Sequence, residues 1–244
     1  MPRFFVPTEN FSGSSVTVTG DDAFHIARAL RMAVGDEITV ADMQGRRHLC
    51  RLTKIRDEAC ECEILSTEEG NTESPAEITL YMGYPKGDKL ETVIQKSVEL
   101  GAAKIVPFES SRCVKHPKAE KIEKQNARYS KIAEEAAKQC GRSRLPRVMP
   151  PVSYAEALGE AKKADIALFC YEGDGTVSLK SALLGAEGKR TVSVVVGCEG
   201  GFSRDEAEAA RAAGLTPVNL GPRILRCETA PSYVLSVISY VLEL

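Results

Sequence analysis

The first 72 residues alternate short apolar runs with polar turns. Runs rich in β-branched residues predict four strands, at Val16–Thr19, Glu37–Ala41, His48–Ile55 and Cys60–Leu65. The stretch Asp22–Met32 has helical spacing instead. The expected N-cap of this helix is Asp21, and its expected buried face consists of Ile26, Ala27 and Leu30. The pattern indicates a small β domain with one helix.

A polar and acidic stretch, Ser66–Ala76, separates this pattern from a different one. Its composition is that of a linker, so we place a domain boundary there, between domains of residues 1–72 and 73–244. In the second domain, apolar runs alternate with helical segments such as Asp88–Leu100. The predicted strands are Ile78–Met82, Lys104–Phe108, Asp165–Tyr171, Thr191–Val196 and Thr216–Leu220. This alternation predicts an α/β domain with a largely parallel sheet.

The final segment, residues 231–244, carries apolar side chains on nearly every side of a helical wheel. A helix that is apolar all round is expected to be buried. This helix therefore either fills the core or contacts a second subunit.

Two glycine-rich turns follow two of the predicted strands. The first is Gly197–Ser203, where Ser203 and Glu206 have the spacing of a capping box that opens a helix. The second spans residues 220–230. Small molecules bind beyond the carboxyl ends of strands in open α/β sheets, so two such turns can close on one ligand. For the first turn alone, a plain strand-to-helix connection is the alternative, since it matches neither a P-loop nor a dinucleotide-binding fingerprint.

Five separated motifs carry a resemblance to a known family. They are HIARALRM (25–32), KGDKLETVIQKSVELGAAKIVPFES (86–110), KQCGRSRLPRV (138–148), GCEGGFS (197–203) and LGPRILRCETA (220–230). In this order, the chain resembles the RsmE family of the SPOUT superfamily, bacterial enzymes that methylate N3 of a uridine in small-subunit (16S) ribosomal RNA. Cys140, Cys198 and Cys227 depart from the pattern, where the family usually has serine, proline and threonine. The change at Cys227 removes a hydroxyl from the expected active site.

The resemblance implies a fold, a cofactor and partners. It implies a small N-terminal PUA-like β-barrel that binds RNA, and a C-terminal SPOUT-type parallel-sheet domain with a deep trefoil knot. It also implies a homodimer that acts on the small ribosomal subunit. The expected cofactor is S-adenosylmethionine, bent between the two glycine turns and contacted by backbone. The residues expected to bind it are Tyr171, Gly197, Glu199, Gly200, Gly201, Leu220, Gly221, Ile224, Leu225 and Ala230.

Methylation of uracil N3 requires that its proton leave, because the protonated nitrogen is a poor nucleophile. Either a base removes the proton or a cation stabilises the uracil anion. The candidate cation is Arg226, and Glu228 either orients it or takes the proton. The alternative for both is an intramolecular ion pair that only holds the turn.

Charge is unevenly distributed along the chain. The whole sequence has a formal charge of −2, but residues 112–147 contain eleven Lys/Arg and four Asp/Glu. Such a basic stretch indicates contact with a phosphate backbone, although a solvated helix face is the usual meaning of lysines at helical spacing. That alternative also applies to the two arginines in the first predicted helix. The candidate RNA-binding residues are Arg28, Arg31, Lys86, Lys89, Arg142 and Arg144.

The eight cysteines and three histidines are scattered without metal-site spacing, so we expect reduced thiols and no metal. No run of about 18 apolar residues is present, and the N-terminus lacks the apolar segment of a signal peptide. We therefore expect a cytoplasmic protein that does not bind membranes.

Two other functions remain open. A related knotted enzyme that methylates ribose 2′-hydroxyls would share the cofactor turns but would leave Glu228 without a role. A non-catalytic RNA-binding or assembly factor would need only the basic stretch.

Overall fold

The computed structural model describes residues 1–114, 116–117, 119–186 and 188–244. Lys115 and Lys118, which belong to the predicted basic stretch, lie outside the described residues. The chain forms two compact units: residues 1–73 with 137–145, and residues 74–136 with 146–244.

A six-stranded sheet dominates the first unit. Its strands are β1 (Arg3–Phe5), β2 (Phe11–Ser12), β3 (Ser15–Thr19), β4 (Glu37–Ala41), β5 (Arg46–Ile55) and β6 (Ala59–Glu69). They lie in the order β1-β4-β5-β6-β3-β2, antiparallel except for the pair β1 and β4. Alternate residues such as Val16, Val18, Ile38 and Val40 are buried in one core, because successive side chains of a strand point to opposite faces.

The polar stretch predicted as a linker begins as strand. Residues 66–69 belong to β6 and pair with the start of β5. Opposite charges face each other there: Arg46 lies 3.2 Å from Glu69, and Arg47 lies 3.8 Å from Glu68. Cross-strand ion pairs of this kind stabilise polar strands, which the composition of the stretch alone does not indicate.

The predicted first helix ends early. Helix α1 (Gly20–Phe24) continues as a π-helical turn, His25–Ala29, and its N-cap is Thr19 rather than Asp21. Leu30 is 41% exposed, so its predicted burial is wrong. The wider π turn shifts the following residues off the helical face, and Arg31 has a φ of 51°. Arg28 and Arg31 therefore do not share one helix face.

The second unit contains a parallel sheet, as predicted. Its strands are β7 (Glu77–Gly83), β8 (Ala102–Glu109), β9 (Arg147–Val148), β10 (Val152–Ser153), β11 (Ile166–Cys170), β12 (Val177–Ser178), β13 (Thr191–Val196) and β14 (Thr216–Asn219). Their order is β10-β8-β7-β13-β11-β14-β12, and β9 pairs with β8. The trefoil knot stays a prediction.

The remaining helices are α2 (Lys89–Glu99), α3 (Ala119–Cys140), α4 (Tyr154–Ala161), α5 (Leu179–Ala182), α6 (Arg204–Ala212) and α7 (Thr229–Leu242). Capping boxes open α4 and α6, and the one at α6 is the predicted pair of Ser203 and Glu206. Among the residues described, no helix combines the length and apolar character that a bilayer crossing requires.

Helix α7 is buried on one side only. Val234, Leu235 and Ile238 are fully buried, whereas Tyr240 is 71% exposed and Val241 39% exposed. The first predicted alternative, that the helix fills the core, therefore holds for one side only, and contact with a second subunit stays a prediction. The other side of its apolar surface is accessible.

Candidate functional site

The two glycine turns line one cavity in the second unit. The first turn (residues 197–203) follows β13 and the second turn (residues 220–228) follows β14. Strand β11 lies between those two strands, and all three are parallel, so their carboxyl ends meet at one edge of the sheet. The cavity there has a volume of about 520 Å³. The prediction that the turns close on a shared space is confirmed.

The structure brings the predicted site residues of these turns together. All ten candidates for cofactor binding line the cavity, as do Arg226 and Glu228. The lining also includes residues that the sequence analysis did not select: Lys89 as a cavity residue, Cys170, Glu172, Val196, Cys198, Phe202, Asn219, Pro222, Arg223 and Cys227. Glu172 lies two residues after the end of β11 and Asn219 is the last residue of β14, and that position at strand ends is the signal that could have indicated them.

The first turn is packed against the sheet through Phe202, which is 5% exposed. Its ring lies 4.4 Å from the ring of Phe169 on β11. A Cβ at Gly197 would lie 3.1 Å from both Gly201 Cα and the Phe202 ring, which is tighter than ordinary contact. Gly201 itself has a φ of 61°, in the left-handed region that favours glycine. The glycines therefore allow the turn to fold back on itself and present backbone to the cavity.

A segment after β8 supports the first turn. The Ser111 backbone N–H donates to Oε1 of Glu206 at 2.7 Å, and Nη1 of Arg112 donates to the Gly200 carbonyl at 3.0 Å. A Cβ at Gly200 would lie 2.8 Å from Arg112 Cβ, so only glycine fits there without displacement. The sequence analysis missed this support, because nothing in the local pattern links residues about 90 positions apart.

The thiol of Cys198, in the first turn, lies beside the thiol of Cys113, on the segment after β8. Cys113 and Cys198 are each 5% exposed, and the Ser110 hydroxyl lies 3.3 Å from the Cys113 sulfur. The hydrogen bond with Cys198 lowers the pKa of Cys113, with further hydrogen bonds from Ser110 adding to the effect and burial opposing it. The same partnership raises the pKa of Cys198.

One lysine and two glutamates form a cluster of ion pairs in the wall of the cavity. The ammonium of Lys89 lies 3.1 Å from Oε1 of Glu199 and 3.4 Å from Oε2 of Glu228. The backbone N–H of Lys86 donates to Glu199 as well, at 3.1 Å, and the thiol of Cys227 donates to Oε2 of Glu228 at 3.2 Å. These contacts connect α2 with both turns.

The pKa values of Glu199, Glu228 and Lys89 are each shifted by the groups around them. Burial acts to raise the pKa of Glu199, but hydrogen bonds from its own backbone, Lys89 and Lys86 outweigh it and lower the pKa. The pKa of Glu228 is lowered chiefly by its own backbone N–H, with Cys227 and Lys89 adding to the effect. The hydrogen bond to Glu199 raises the pKa of Lys89. At neutral pH these three side chains are therefore one ammonium and two carboxylates.

Arg226 is exposed and makes no ion pair with any residue in the described part of the chain. Glu228 is in an intramolecular ion pair, with Lys89 at 3.4 Å, as the alternative has it, whereas Arg226 is in none among the described residues. The guanidinium of Arg226 lines the cavity with its charge available to a ligand. The low pKa of Glu228 makes this carboxylate a weak base.

The candidate RNA-binding arginines of the first unit differ from one another. Arg28 is exposed and bound to Asp57 at 2.6 Å, and Arg31 is exposed. Arg142 is 4% exposed, and its guanidinium is bound to Glu73. This burial differs from the prediction that Arg142 presents its charge to phosphate. Arg144 is exposed, and of its polar groups only the backbone N–H has a partner among the described residues, Glu73 at 3.1 Å.

Glu73 organises the loop that carries these two arginines. Besides Arg142 and the Arg144 backbone, it accepts a hydrogen bond from the Ser143 backbone N–H at 2.9 Å. Burial acts to raise the pKa of Glu73, but the hydrogen bond and charge of Arg142 outweigh it and lower the pKa. Arg142 therefore fixes the loop, and Arg144 is the member that faces solvent.

Helix α3 carries further exposed cations. On α3, the side chains at Lys121, Lys124, Arg128 and Lys131 are exposed, and Arg128 pairs with Glu91 at 2.9 Å. Lys86 is exposed too. Within the described ranges, no three His, Cys, Asp or Glu side chains are grouped as metal ligands.

Comparison with known proteins gives consistent matches along the chain. A family model described as an RNA methyltransferase domain matches residues 72–239, and one described as an RNA methyltransferase PUA domain matches residues 18–65. Ribosomal RNA small subunit methyltransferase E of Bacillus subtilis is 37% identical over 251 residues, covering 100% of this chain and 98% of that protein. The protein of that name from Synechocystis is 32% identical, covering 99% and 78%.

A solved structure matches both units. It is the crystal structure of ribosomal RNA small subunit methyltransferase E from Neisseria gonorrhoeae bound to S-adenosyl methionine. It is 34% identical to this chain, covers 99% of it and 98% of its own length, and has a TM-score of 0.86.

Proposed function

The chain belongs to the ribosomal RNA small subunit methyltransferase E family, and from that premise we propose that it transfers a methyl group from S-adenosylmethionine to N3 of a uridine in 16S ribosomal RNA. The observation that carries the proposal is the shared cavity of the two glycine turns, with Arg226 and Glu228 in its wall.

The cavity suits S-adenosylmethionine in size and in chemistry. Its volume of about 520 Å³ falls within the range of about 300–1,000 Å³ typical of small-molecule sites. The residues that would hold the cofactor are Tyr171, Gly197, Glu199, Gly200, Gly201, Leu220, Gly221, Ile224, Leu225 and Ala230. When bound, it supplies an electrophilic methyl group on a sulfonium.

The residues of the wall have distinct roles in this proposal. Arg226 stabilises the negative charge of the uracil as the N3 proton leaves, because its guanidinium has no carboxylate partner among the described residues. Glu228, held by Lys89 and the Cys227 thiol, orients the acceptor, and the N3 proton passes to solvent water. Positioning of the donor and acceptor supplies the rest of the rate enhancement.

The substrate is proposed to be the assembled small subunit, which the chain grips with both units. N3 lies on the Watson–Crick edge of uracil, so the target base must be unpaired or splayed out. Candidate phosphate contacts are Arg28, Arg31, Lys86 and Arg144, together with the exposed cations of α3. A protein that acts on the small ribosomal subunit is expected in the cytoplasm.

A homodimer is part of the proposal. The side chains at Tyr233, Tyr240 and Val241 leave an apolar side of α7 exposed in the single chain. A second copy that covers this side would remove it from water, as symmetric dimers commonly do.

Methylation of small subunits from a strain that lacks this methyl group tests the function. Wild-type protein should produce 3-methyluridine in digested RNA, and Arg226→Ala should lower the rate by about 100-fold or more with S-adenosylmethionine binding retained. A ribose-methylated nucleoside would identify the 2′-hydroxyl enzyme instead. Absence of cofactor binding by calorimetry would leave only a non-catalytic RNA-binding role.

A further inference from the structure

Lys89 connects the two turns of the cavity from the first residue of α2. Its ammonium contacts Glu199 in the first turn at 3.1 Å and Glu228 at the end of the second turn at 3.4 Å. The two carboxylates are 29 residues apart in sequence, and no other lysine or arginine among the described residues pairs with either of them. One cation therefore bonds to both sides of the site.

Both carboxylates are held by further bonds that fix their direction. Oε1 of Glu199 accepts from Lys89 and from the Lys86 backbone N–H, both at 3.1 Å. Oε2 of Glu228 accepts from Lys89 and from the Cys227 thiol. The lysine side chain is 36% exposed, and those of the glutamates are 28% and 24% exposed. The group is thus partly shielded from water, where charge pairing is stronger than on an open surface.

The charges around Glu228 show what the lysine does. Lys89 and the Cys227 thiol act on this carboxylate directly, and Glu199, which shares Lys89, acts on Cys227. Of these, Lys89 alone is positive. Without it, two carboxylates and a thiol would share one wall, and like charges at short range repel and raise carboxyl pKa values.

We propose that Lys89 is a positioning residue for methyl transfer, which holds the first turn and Glu228 in fixed relation across the cavity through its two ion pairs. This inference rests on the proposed function. It differs from contact with an RNA phosphate, for which Lys89 would have to release its carboxylates. The two roles predict different kinetic effects.

The experiment compares Lys89→Met and Lys89→Arg with a matched control, Lys96→Met, which removes the same charge from the same helix. Among the described residues, Lys96 pairs only with Glu99, on the surface of α2. Rates on small subunits, the affinity for S-adenosylmethionine and the affinity for RNA are measured for each. Glutamate labelled at the side-chain carboxyl allows Glu228 to be titrated by NMR, with its signal identified from Glu228→Gln.

Lys89→Met should lower kcat by about 100-fold and weaken cofactor binding, since small misplacements at a reacting centre have effects of this size. KM for the subunit should change less than twofold. The titration midpoint of Glu228 and the acid limb of the rate profile should both move to higher pH, because the cation that favours the carboxylate is gone. Lys89→Arg should recover part of the rate, and Lys96→Met should match wild type.

Several results would overturn the inference. A loss of RNA affinity with unchanged kcat would make Lys89 a phosphate ligand, and a Glu228 midpoint unchanged in Lys89→Met would remove the ion pair from the mechanism. Should Lys89→Met unfold, the arginine variant and its titration decide the question in its place. If wild-type protein fails to methylate subunits, the proposed function is wrong, whereas the titration and cofactor binding still test the link between the turns.

Discussion

Removal of the Glu206 carboxylate should destabilise the second unit far more than its place in a capping box suggests. Oε2 of Glu206 accepts from the Ser203 backbone N–H at 2.8 Å, and Oε1 accepts from the Ser111 N–H at 2.7 Å. The residue is 9% exposed. Glu206→Ala therefore breaks the start of α6 and, with it, the attachment of the segment that supports the first turn.

The size of the effect follows from these two bonds. A hydrogen bond to a charged group contributes about 1.5–3 kcal/mol to stability. Water can reach the exposed Ser111 backbone after the substitution and recovers part of that contribution. We expect a loss of about 2–4 kcal/mol, a large share of the 5–15 kcal/mol that is typical of a folded protein.

Urea unfolding of Glu206→Ala, compared with that of Glu156→Ala, measures this loss of unfolding free energy. Glu156 occupies the same place in the capping box of α4, but it is exposed, and within the described part of the chain its carboxylate is hydrogen-bonded only to Ser153. The Glu206 variant should have the lower midpoint with an unchanged slope, and calorimetry should show weaker binding of S-adenosylmethionine. Equal midpoints for the two variants would refute the reasoning, because the contact with Ser111 would then add nothing.

Three further outcomes follow from the structure. Gly83→Ala should lower the unfolding free energy by about 1–3 kcal/mol in urea titrations, because the new Cβ would lie 2.5 Å from the Cys198 nitrogen. Glu73 has a lowered pKa, so its contribution to stability is present above about pH 4.5 and is lost as pH falls through the folded-state value; Glu73→Gln should flatten this acid loss in thermal melts. Arg144→Ala should reduce the slope of log RNA affinity against log salt by about 1, whereas Arg142→Ala should lower the melting temperature instead.

The regular parts of this fold were predictable from the sequence because their signals are local. β4 and β13 match the predicted bounds, and the Ser203 and Glu206 capping box forms as its spacing indicates. The glycine turns could be placed at one edge of the sheet because parallel strands end together. The first helix was mispredicted, because no residue pattern distinguishes a π turn from a continuing α-helix at Leu30.

The missing parts depend on contacts between distant segments. Arg142 has the appearance of an exposed loop arginine until Glu73, 69 residues earlier, is placed beside it. Lys89 was grouped with RNA contacts for the same reason, since its partners Glu199 and Glu228 lie on other elements. The sequence shows the sign of each charge, but the topology of the fold decides which residue of opposite charge pairs with it.

The distance of Glu73 from its partners also bears on how the chain folds during synthesis. Its acceptor oxygens meet donors that are made 69 to 71 residues later, after the last strand of the first sheet has been translated. In the second unit, β7 must await β13, which pairs Ile78 with Val192. Such non-local pairing slows folding to milliseconds or seconds, because the entropy lost on closing a long loop is not offset until the strand contacts form. Stopped-flow refolding measures that rate. A nascent chain is thus extended by more than 100 residues with one edge of β7 unpaired, and an unpaired strand edge can pair with another chain.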